Sequence, residues 1–296
     1  MHVVVAGASG FLGTHLTEHL RTRGHEVTAL VRRAPTREHE SQWDPYAGRI
    51  DRDVVQGADA VVNLAGVSIA GNPHSRSWRE AVMDSRVVTT RLLADTIAGA
   101  ERPPAFLAGN GISWYGDHGA EPLDERSDSR GDALLTRVTR AWQEAACPAG
   151  EAGARLCVLR TAPVVDAASA PLKPMIPLFR AGLGTRLGSG EQHFPIVSLR
   201  DWVGATAFLL ESQDVAGVFN MCAPLTPTNA DYTDTLARAL HRKARLAVPS
   251  ALLRAAAGAM APELLGSVNV RPAALERAGY DFLDENVDEV VATALG

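Results

Sequence analysis

The chain has 296 residues, 46% of them apolar, with a net charge of −5 and a mean hydropathy near zero. That is enough to bury a large core, as one domain or as a nucleotide-sized domain with a smaller lobe. No uncharged apolar run reaches the ~18–20 residues that span a bilayer, and no basic tail gives the electrostatic footprint of a nucleic-acid binder, so neither partner is expected.

The three cysteines, Cys147, Cys157 and Cys222, form no CxxC pair, and the nine histidines make no HxH or HExxH arrangement. Reduced, buried thiols and the absence of a metal site are therefore the expectation. Met1 to Val5 enters an apolar strand directly, without the basic stretch, longer apolar core and cleavage site of a signal peptide. The expected location is cytoplasmic.

His2-Val3-Val4-Val5-Ala6 reads as a short buried strand, followed by Gly7-Ala8-Ser9-Gly10-Phe11-Leu12-Gly13. Leu12, Leu16 and Leu20 recur at helical spacing and predict a helix over 14–23, closed by Gly24. Residues 27–31 predict a second strand, and 35–57 are polar and turn-rich. Another buried strand is expected over 58–64, ending in Ala65-Gly66, then a long amphipathic helix over 78–98. Residues 105–108 form a strand, followed by Gly109-Asn110-Gly111-Ile112-Ser113-Trp114-Tyr115-Gly116. The acidic loop with Glu121, Asp124, Glu125 and Asp128 reads as a solvated face. A helix over 132–146 and a strand over 156–159, ending at Arg160, come next.

Beyond residue 165 the chain is rich in Pro171, Pro174, Pro177, Gly182, Gly184, Gly188 and Gly190, which predicts loops and short elements. A strand over 217–221 and helices over 229–240 and 250–260 complete the pattern. Strands alternating with helices mean a parallel sheet covered on both faces. The expected class is α/β: a Rossmann doubly wound sheet over residues 1–165, and a smaller C-terminal substrate lobe over 166–296, some of whose segments return to the sheet.

The glycines at 7, 10 and 13 follow a strand and open a helix, the context that makes such spacing informative. Gly7 permits the tight turn, Gly10 lets the backbone approach a pyrophosphate, and Gly13 allows close helix–sheet packing. The pyrophosphate would sit at the positive end of the helix dipole. An NAD-preferring site carries an acid near the end of the second strand; Leu30-Val31-Arg32-Arg33 has none. Two guanidiniums there suit a 2′-phosphate, so NADP(H) is the expected cofactor.

With these residues in view the chain resembles the extended short-chain dehydrogenases/reductases. More narrowly, it resembles their atypical NAD-dependent epimerase/dehydratase-like subfamily with a C-terminal helical domain of unknown function. The resemblance rests on Gly7–Gly13, Asn63-Leu64-Ala65-Gly66, Ser85-Arg86, Trp114-Tyr115-Gly116, Trp142, Gly182-Leu183-Gly184, Leu187-Gly188-Ser189-Gly190, Phe219-Asn220-Met221 and the stretch from Pro272 to Tyr280. It implies a seven-stranded sheet, with Ser9, Phe11 and Leu12 beside the glycines at the cofactor. It also implies Leu64, Ala65 and Gly66 along the adenine and ribose, and Thr161, Ala162 and Val164 near the nicotinamide. A homodimer through the helices near 78–98 and 132–146 would be usual for such folds.

The family's Tyr and the Lys four residues after it cannot be placed here. The residues four after Tyr46, Tyr115, Tyr232 and Tyr280 are Ile50, Gly119, Leu236 and Asp284. Thr136 and Arg140 fall near the expected positions, but an unassisted Thr hydroxyl titrates too high to replace a phenol. The usual Ser position is Gly111. The subfamily's Trp-Ile-His-x-Asp-Asp stretch is Ile196-Val197-Ser198-Leu199-Arg200-Asp201, so its His is missing, and a Glu often found after Leu-Ala-Gly is Val67. Tyr115 as proton donor with Ser113 as its partner is the remaining catalytic candidate, on a loop at the carboxyl end of a strand. Asp201 is expected to cap or orient the helix starting near Trp202, Trp78 and Trp142 to pack, and Arg86 either to meet a ligand phosphate or to form a surface ion pair.

The sequence thus points to an NADP(H)-dependent oxidoreductase or epimerase-like enzyme acting by hydride transfer on a small polar, sugar-like molecule. The rival is a non-catalytic NADP(H)-binding sensor or interaction protein that has lost the Tyr–Lys pair.

Overall fold

The computed structural model describes residues 1–170 and 172–296; Pro171 lies outside them. Seven strands form the main sheet: β1 (His2–Ala6), β2 (Glu26–Val31), β3 (Glu40–Gln42), β4 (Ala60–Asn63), β5 (Ala105–Gly111), β6 (Leu156–Thr161) and β7 (Gly217–Met221). Their order is β7-β6-β5-β4-β1-β2-β3, and every pairing is parallel. This is the expected Rossmann doubly wound sheet. The strand order reverses between β1 and β4, and open α/β sheets bind ligands outside the carboxyl ends of the strands at that point.

The helices are α1 (Phe11–Thr22), α2 (Arg52–Gln56), α3 (Arg76–Ala98), α4 (Leu134–Glu151), α5 (Met175–Arg180), α6 (Leu199–Glu211), α7 (Asn229–Ala239), α8 (Ser250–Ala257), α9 (Ala261–Leu265), α10 (Ala273–Ala278) and α11 (Val287–Leu295). Alternation along β1 shows why the sheet needs two covering layers. Val3 and Val5 pack with Leu16 and Leu20 of α1 and Trp202 and Leu209 of α6. Val4 and Ala6 face the other way, onto Val55 of α2, Leu93 and Ile97 of α3, and Ala146 and Ala149 of α4. A strand buried on both faces must be apolar throughout, which is why β1 reads as a run and not as an alternation.

Residues beyond 165 split between two jobs. The 199–221 segment supplies α6 and β7 to the main sheet. Others build a second cluster around Phe179 of α5, Tyr232 and Leu236 of α7, and Val290 and Val291 of α11, while Leu275 of α10 joins the main core beside Trp202 and Phe219. Short parallel ladders pair Val164–Val165 with Val197–Ser198, and Thr185–Leu187 with Leu246–Val248. Ala259 and Met260, between α8 and α9, pack on Val82 of α3 and Leu134, Leu135 and Val138 of α4. His74, in the loop after β4, meets Ala256 O at 3.1 Å. The segment from α8 to α9 therefore lies against the loop after β4 and the N-terminal parts of α3 and α4. Among the described residues no helix is long and apolar enough to cross a membrane.

Candidate functional site

The turn after β1 holds the geometry its glycines require. Gly7 has φ +82°, and a Cβ there would stand 2.6 Å from the Leu64 carbonyl carbon, so the turns after β1 and β4 touch. At Gly13 a Cβ would stand 2.1 Å from Gly7 O. At Gly10 a Cβ meets only Gly7 O, at 3.3 Å, and otherwise points into open space above the helix end. Gly10 is the N-cap of α1 and supplies no side chain, and the first turn carries no acid. The first helical bond runs from Thr14 N to Gly10 O. Among the described residues the amides of Phe11, Leu12 and Gly13 accordingly have no acceptor. Free N–H groups at the positive end of a helix dipole, next to a position that only glycine leaves open, fit a dinucleotide diphosphate.

The end of β2 differs from the sequence expectation in one respect. Arg33 is held by an acid: its guanidinium makes two parallel bonds to Glu40 of β3, at 2.6 and 2.8 Å. That contact, with the Thr36 and Arg37 amides, holds the Glu40 carboxyl down at about 2. Arg33 is thus already paired, though 52% exposed, whereas Arg32 is exposed and its guanidinium makes no bond among the described residues. The pairing was missed because Glu40 sits seven residues away, on a strand that the polar 35–57 stretch concealed.

After β4, Asn63 is fully buried, its amide donating to Thr90 Oγ1 at 2.8 Å and its carbonyl accepting from Ala65 N at 3.0 Å. This fixes the Leu64-Ala65-Gly66 turn. Arg86 lies beneath it. A Cβ at Gly66 would stand 3.3 Å from the carbon of the Arg86 guanidinium, whose Nη1 and Nη2 groups donate to Val82 O and Val67 O and which sits 5.2 Å from the Trp142 ring centroid. Burial pulls its pKa down to about 10. The expected surface ion pair is absent among the described residues. Trp142 donates to Thr90 Oγ1, and Trp78 packs on Gly71, so both partly buried tryptophans are engaged within the protein.

Thr161 ends β6 and accepts a bond from Trp202 Nε1 at 3.1 Å. Ala162 and Val164 are 2% and 7% exposed, so both side chains turn inward. The partly exposed positions of that turn are Thr161 and Pro163. Asp201 does orient α6, as expected: it lies in the first turn behind the N-cap Ser198 and also accepts from Leu283 N, Asp284 N and the Tyr280 hydroxyl.

Tyr115 is enclosed by its surroundings. Its side chain is fully buried, and its hydroxyl bonds to Asn220 Oδ1 at 2.8 Å and Asp124 O at 3.0 Å while accepting from Arg160 at 3.0 Å. Burial raises the phenol to about 12. Its hydroxyl spends its bonds on neighbours inside the protein. Arg160 is its companion, 2% exposed, stacked 3.4 Å over the Trp114 ring and bonded to Gln143, with no carboxylate partner among the described residues. The acidic loop is likewise only partly solvated. Glu121 and Asp128 pair with Arg130 at the surface, but the Glu125 side chain is 5% exposed and accepts the amides of Asn220 and Ala274. Cys157 and Cys222 are buried as expected, whereas Cys147 is exposed. Thr136 is 1% exposed, and Arg140 donates to Ser129, so neither rebuilds the missing pair.

Ser113 is the catalytic candidate that stays half-buried, on the turn just past β5. Its hydroxyl donates to Glu263 Oε2 of α9 at 2.6 Å, across 150 residues of sequence. Burial raises the Glu263 carboxyl, with the Ser113 bond opposing. Nothing in the local sequence Ala261-Pro262-Glu263 marks this residue, because only the tertiary packing of α9 brings it to the sheet.

The comparisons agree with this architecture. Residues 3–222 match the model of the NAD dependent epimerase/dehydratase family, and 248–294 match a domain of unknown function. An epimerase family protein of Mycobacterium bovis is 38% identical over 293 residues, covering 99% of this chain and 97% of that protein. The human epimerase family protein SDR39U1 is 36% identical over 303 residues, covering 99% of this chain and all of that one. A crystal structure of human SDR39U1 with NADPH superposes with a TM-score of 0.89 at 32% identity, covering 99% of both chains. With its glycine turn, its parallel sheet and these relatives, the chain belongs to the NAD-dependent epimerase/dehydratase family.

Proposed function

We propose that this chain is an NADP(H)-dependent oxidoreductase or epimerase-like enzyme acting by hydride transfer on a small polar, sugar-like substrate. The observation that carries the reading is the uncapped start of α1, with the amides of Phe11, Leu12 and Gly13 free beside Gly10. The diphosphate rests on those amides, within the turn of Gly7, Ser9, Gly10 and Gly13. The Arg32 guanidinium reaches for the 2′-phosphate, Leu64 to Gly66 line the adenine and ribose, and the main chain from Thr161 to Val164 flanks the nicotinamide. When bound, the nicotinamide supplies or accepts the hydride, and the protein binds, orients and excludes water. The human relative crystallised with NADPH supports the same choice of cofactor. The reading carries with it a cytoplasmic homodimer paired through α3 and α4, which sedimentation of the purified protein checks.

Calorimetric titration with NADPH, NADP⁺, NADH and NAD⁺ tests the cofactor. Tighter binding of the phosphorylated pair supports the reading, and no association of any of the four at millimolar concentration sinks it. A second reading, a non-catalytic NADP(H)-binding sensor or interaction protein, draws support from the enclosed Tyr115 and the missing Tyr–Lys pair. Scanning carbonyl and sugar substrates for NADPH oxidation separates the two, since turnover on any of them excludes the pure binder.

A further inference from the structure

The missing Tyr–Lys pair leaves the site without its usual proton donor, and Tyr115 is enclosed. Ser113 and Glu263, bonded to each other, lie just past the carboxyl end of β5. Gly111, the last residue of β5, is the register partner of Thr161 on β6, so the turn bearing Ser113 lies beside the turn that flanks the nicotinamide. Both Ser113 and Glu263 are half-buried, in contrast to the fully enclosed Tyr115. The geometry points to Ser113 and Glu263 as the proton-handling pair of this site: Ser113 Oγ touches the reacting oxygen of the substrate, and Glu263 is the proton reservoir behind it. The inference rests on the hydride-transfer reading above and assigns a chemical role to the C-terminal domain of unknown function, which supplies α9.

The surroundings of Glu263 favour the neutral acid. Among the described residues Ser113 is the only side chain bonded to it, and burial, not a charged neighbour, raises its carboxyl. On the adjoining turn, Asp117 spends its carboxylate on the amides of Gly119 and Ser267. His118 faces Tyr115 O and Glu121. On the α4 side Arg140 is bonded to Ser129. No cation pairs with Glu263 among the described residues.

The step balances with these two groups. As a carbonyl carbon accepts a hydride, the C–O π pair moves onto oxygen and forms a bond to the Ser113 hydroxyl proton. The Ser113 O–H bond breaks, and the same oxygen takes the proton of Glu263, now the donor across the 2.6 Å contact. Glu263 is left as a carboxylate and regains a proton from water. In the oxidative direction each transfer reverses. Ser113 is the catalytic residue and Glu263 the positioning residue that acts through it.

Two readouts on the full-length chain test this, one of them independent of turnover. Infrared difference spectra across an acid-to-alkaline titration read the protonated-carboxyl stretch. The band is expected to persist at neutral pH in the wild type and to be absent from E263Q; a wild type without it at neutral pH overturns the proposal. With any carbonyl compound that oxidises NADPH, S113A and E263Q are each expected to lower kcat by about 10²–10⁴-fold. KM and the NADPH Kd should stay within about twofold, the double variant should lose little more than either single one, and E263D should recover part of the rate with a shifted pH profile. Wild-type kcat in E263Q overturns the assignment. Loss of stability alone, seen as a lower Tm with unchanged kcat, overturns it as well. Failure of the cofactor reading would show instead as absent NADPH binding in the wild type, which leaves the infrared band unaffected.

Discussion

Alanine at Gly13 and at Gly10 should have different consequences, because the two positions face different things. At Gly13 the new Cβ would lie 2.1 Å from Gly7 O and 2.8 Å from the Ala8 Cα, both of them backbone atoms that cannot rotate away. Relief requires α1 to move off the turn by about 1 Å, an overpacking strain of about 1–3 kcal/mol. For a chain of this length that corresponds to a fall in Tm of roughly 2–5 °C. The same shift pulls the amides of Phe11 and Leu12 off a bound diphosphate. Loss of one charge-assisted bond is worth about 1.5–3 kcal/mol, so NADPH should bind about 10- to 150-fold more weakly. At Gly10 the Cβ meets one atom at 3.3 Å and otherwise enters open space. Its Tm should stay near that of the wild type while NADPH binding weakens by a comparable factor, because the methyl occupies the diphosphate's approach. Calorimetric titration and thermal melting of the two variants side by side give the answer. Undiminished NADPH affinity in G10A, or an unchanged Tm in G13A, would refute the reasoning.

Three further outcomes follow from the same geometry. R32A should weaken NADPH by about 10- to 150-fold and leave NADH nearly unchanged, since an Arg–phosphate bond carries about 1.5–3 kcal/mol; R33A should change the ratio far less, because Glu40 already holds Arg33. Fluorescence titration with both nucleotides measures this, and equal effects of the two variants would contradict it. Y115F removes a hydroxyl that serves Asn220, Asp124 and Arg160. It should cost about 1–3 kcal/mol in denaturant unfolding while the NADPH Kd stays within about twofold; loss of turnover at full stability would restore Tyr115 to the chemistry. Glu211, at the end of α6, bonds Arg23 at 2.6 Å and His25 at 2.9 Å, which holds its carboxyl at about 2 instead of 4.5. Because the folded value is depressed, the stabilisation is present above about pH 4.5 and fades as pH falls towards 2. E211Q should therefore have a flatter acid limb in its Tm-against-pH curve, and parallel limbs for both proteins would disprove the linkage.

Much of the sheet was readable from local pattern. β1, β2, β4, β5, β6 and β7 each lie within two or three residues of the expected strands, because strands buried on both faces are apolar runs that neighbouring polar turns bracket. α3 and α4 extended beyond expectation, α4 as far as Glu151 with Pro148 inside it. β3 went unseen: three residues, Glu40-Ser41-Gln42, with no apolar signal, become a strand because β2 offers an unpaired edge. α10 and α11 were also missed, since α10 has six residues and α11 follows a stretch with no apolar period.

The order of residues along the chain determined the glycine turn, the parallel sheet and the absence of a Tyr–Lys pair, because each depends on neighbours within a turn or a strand. Tertiary structure decided which charged and polar side chains are available. Arg33 is occupied by Glu40, Tyr115 is enclosed by Asn220 and Arg160, Glu125 is drawn into the interior, and Ser113 is joined to Glu263 from 150 residues away. Availability depends on burial and on partners from distant segments, and the spacing of residues along a chain carries neither.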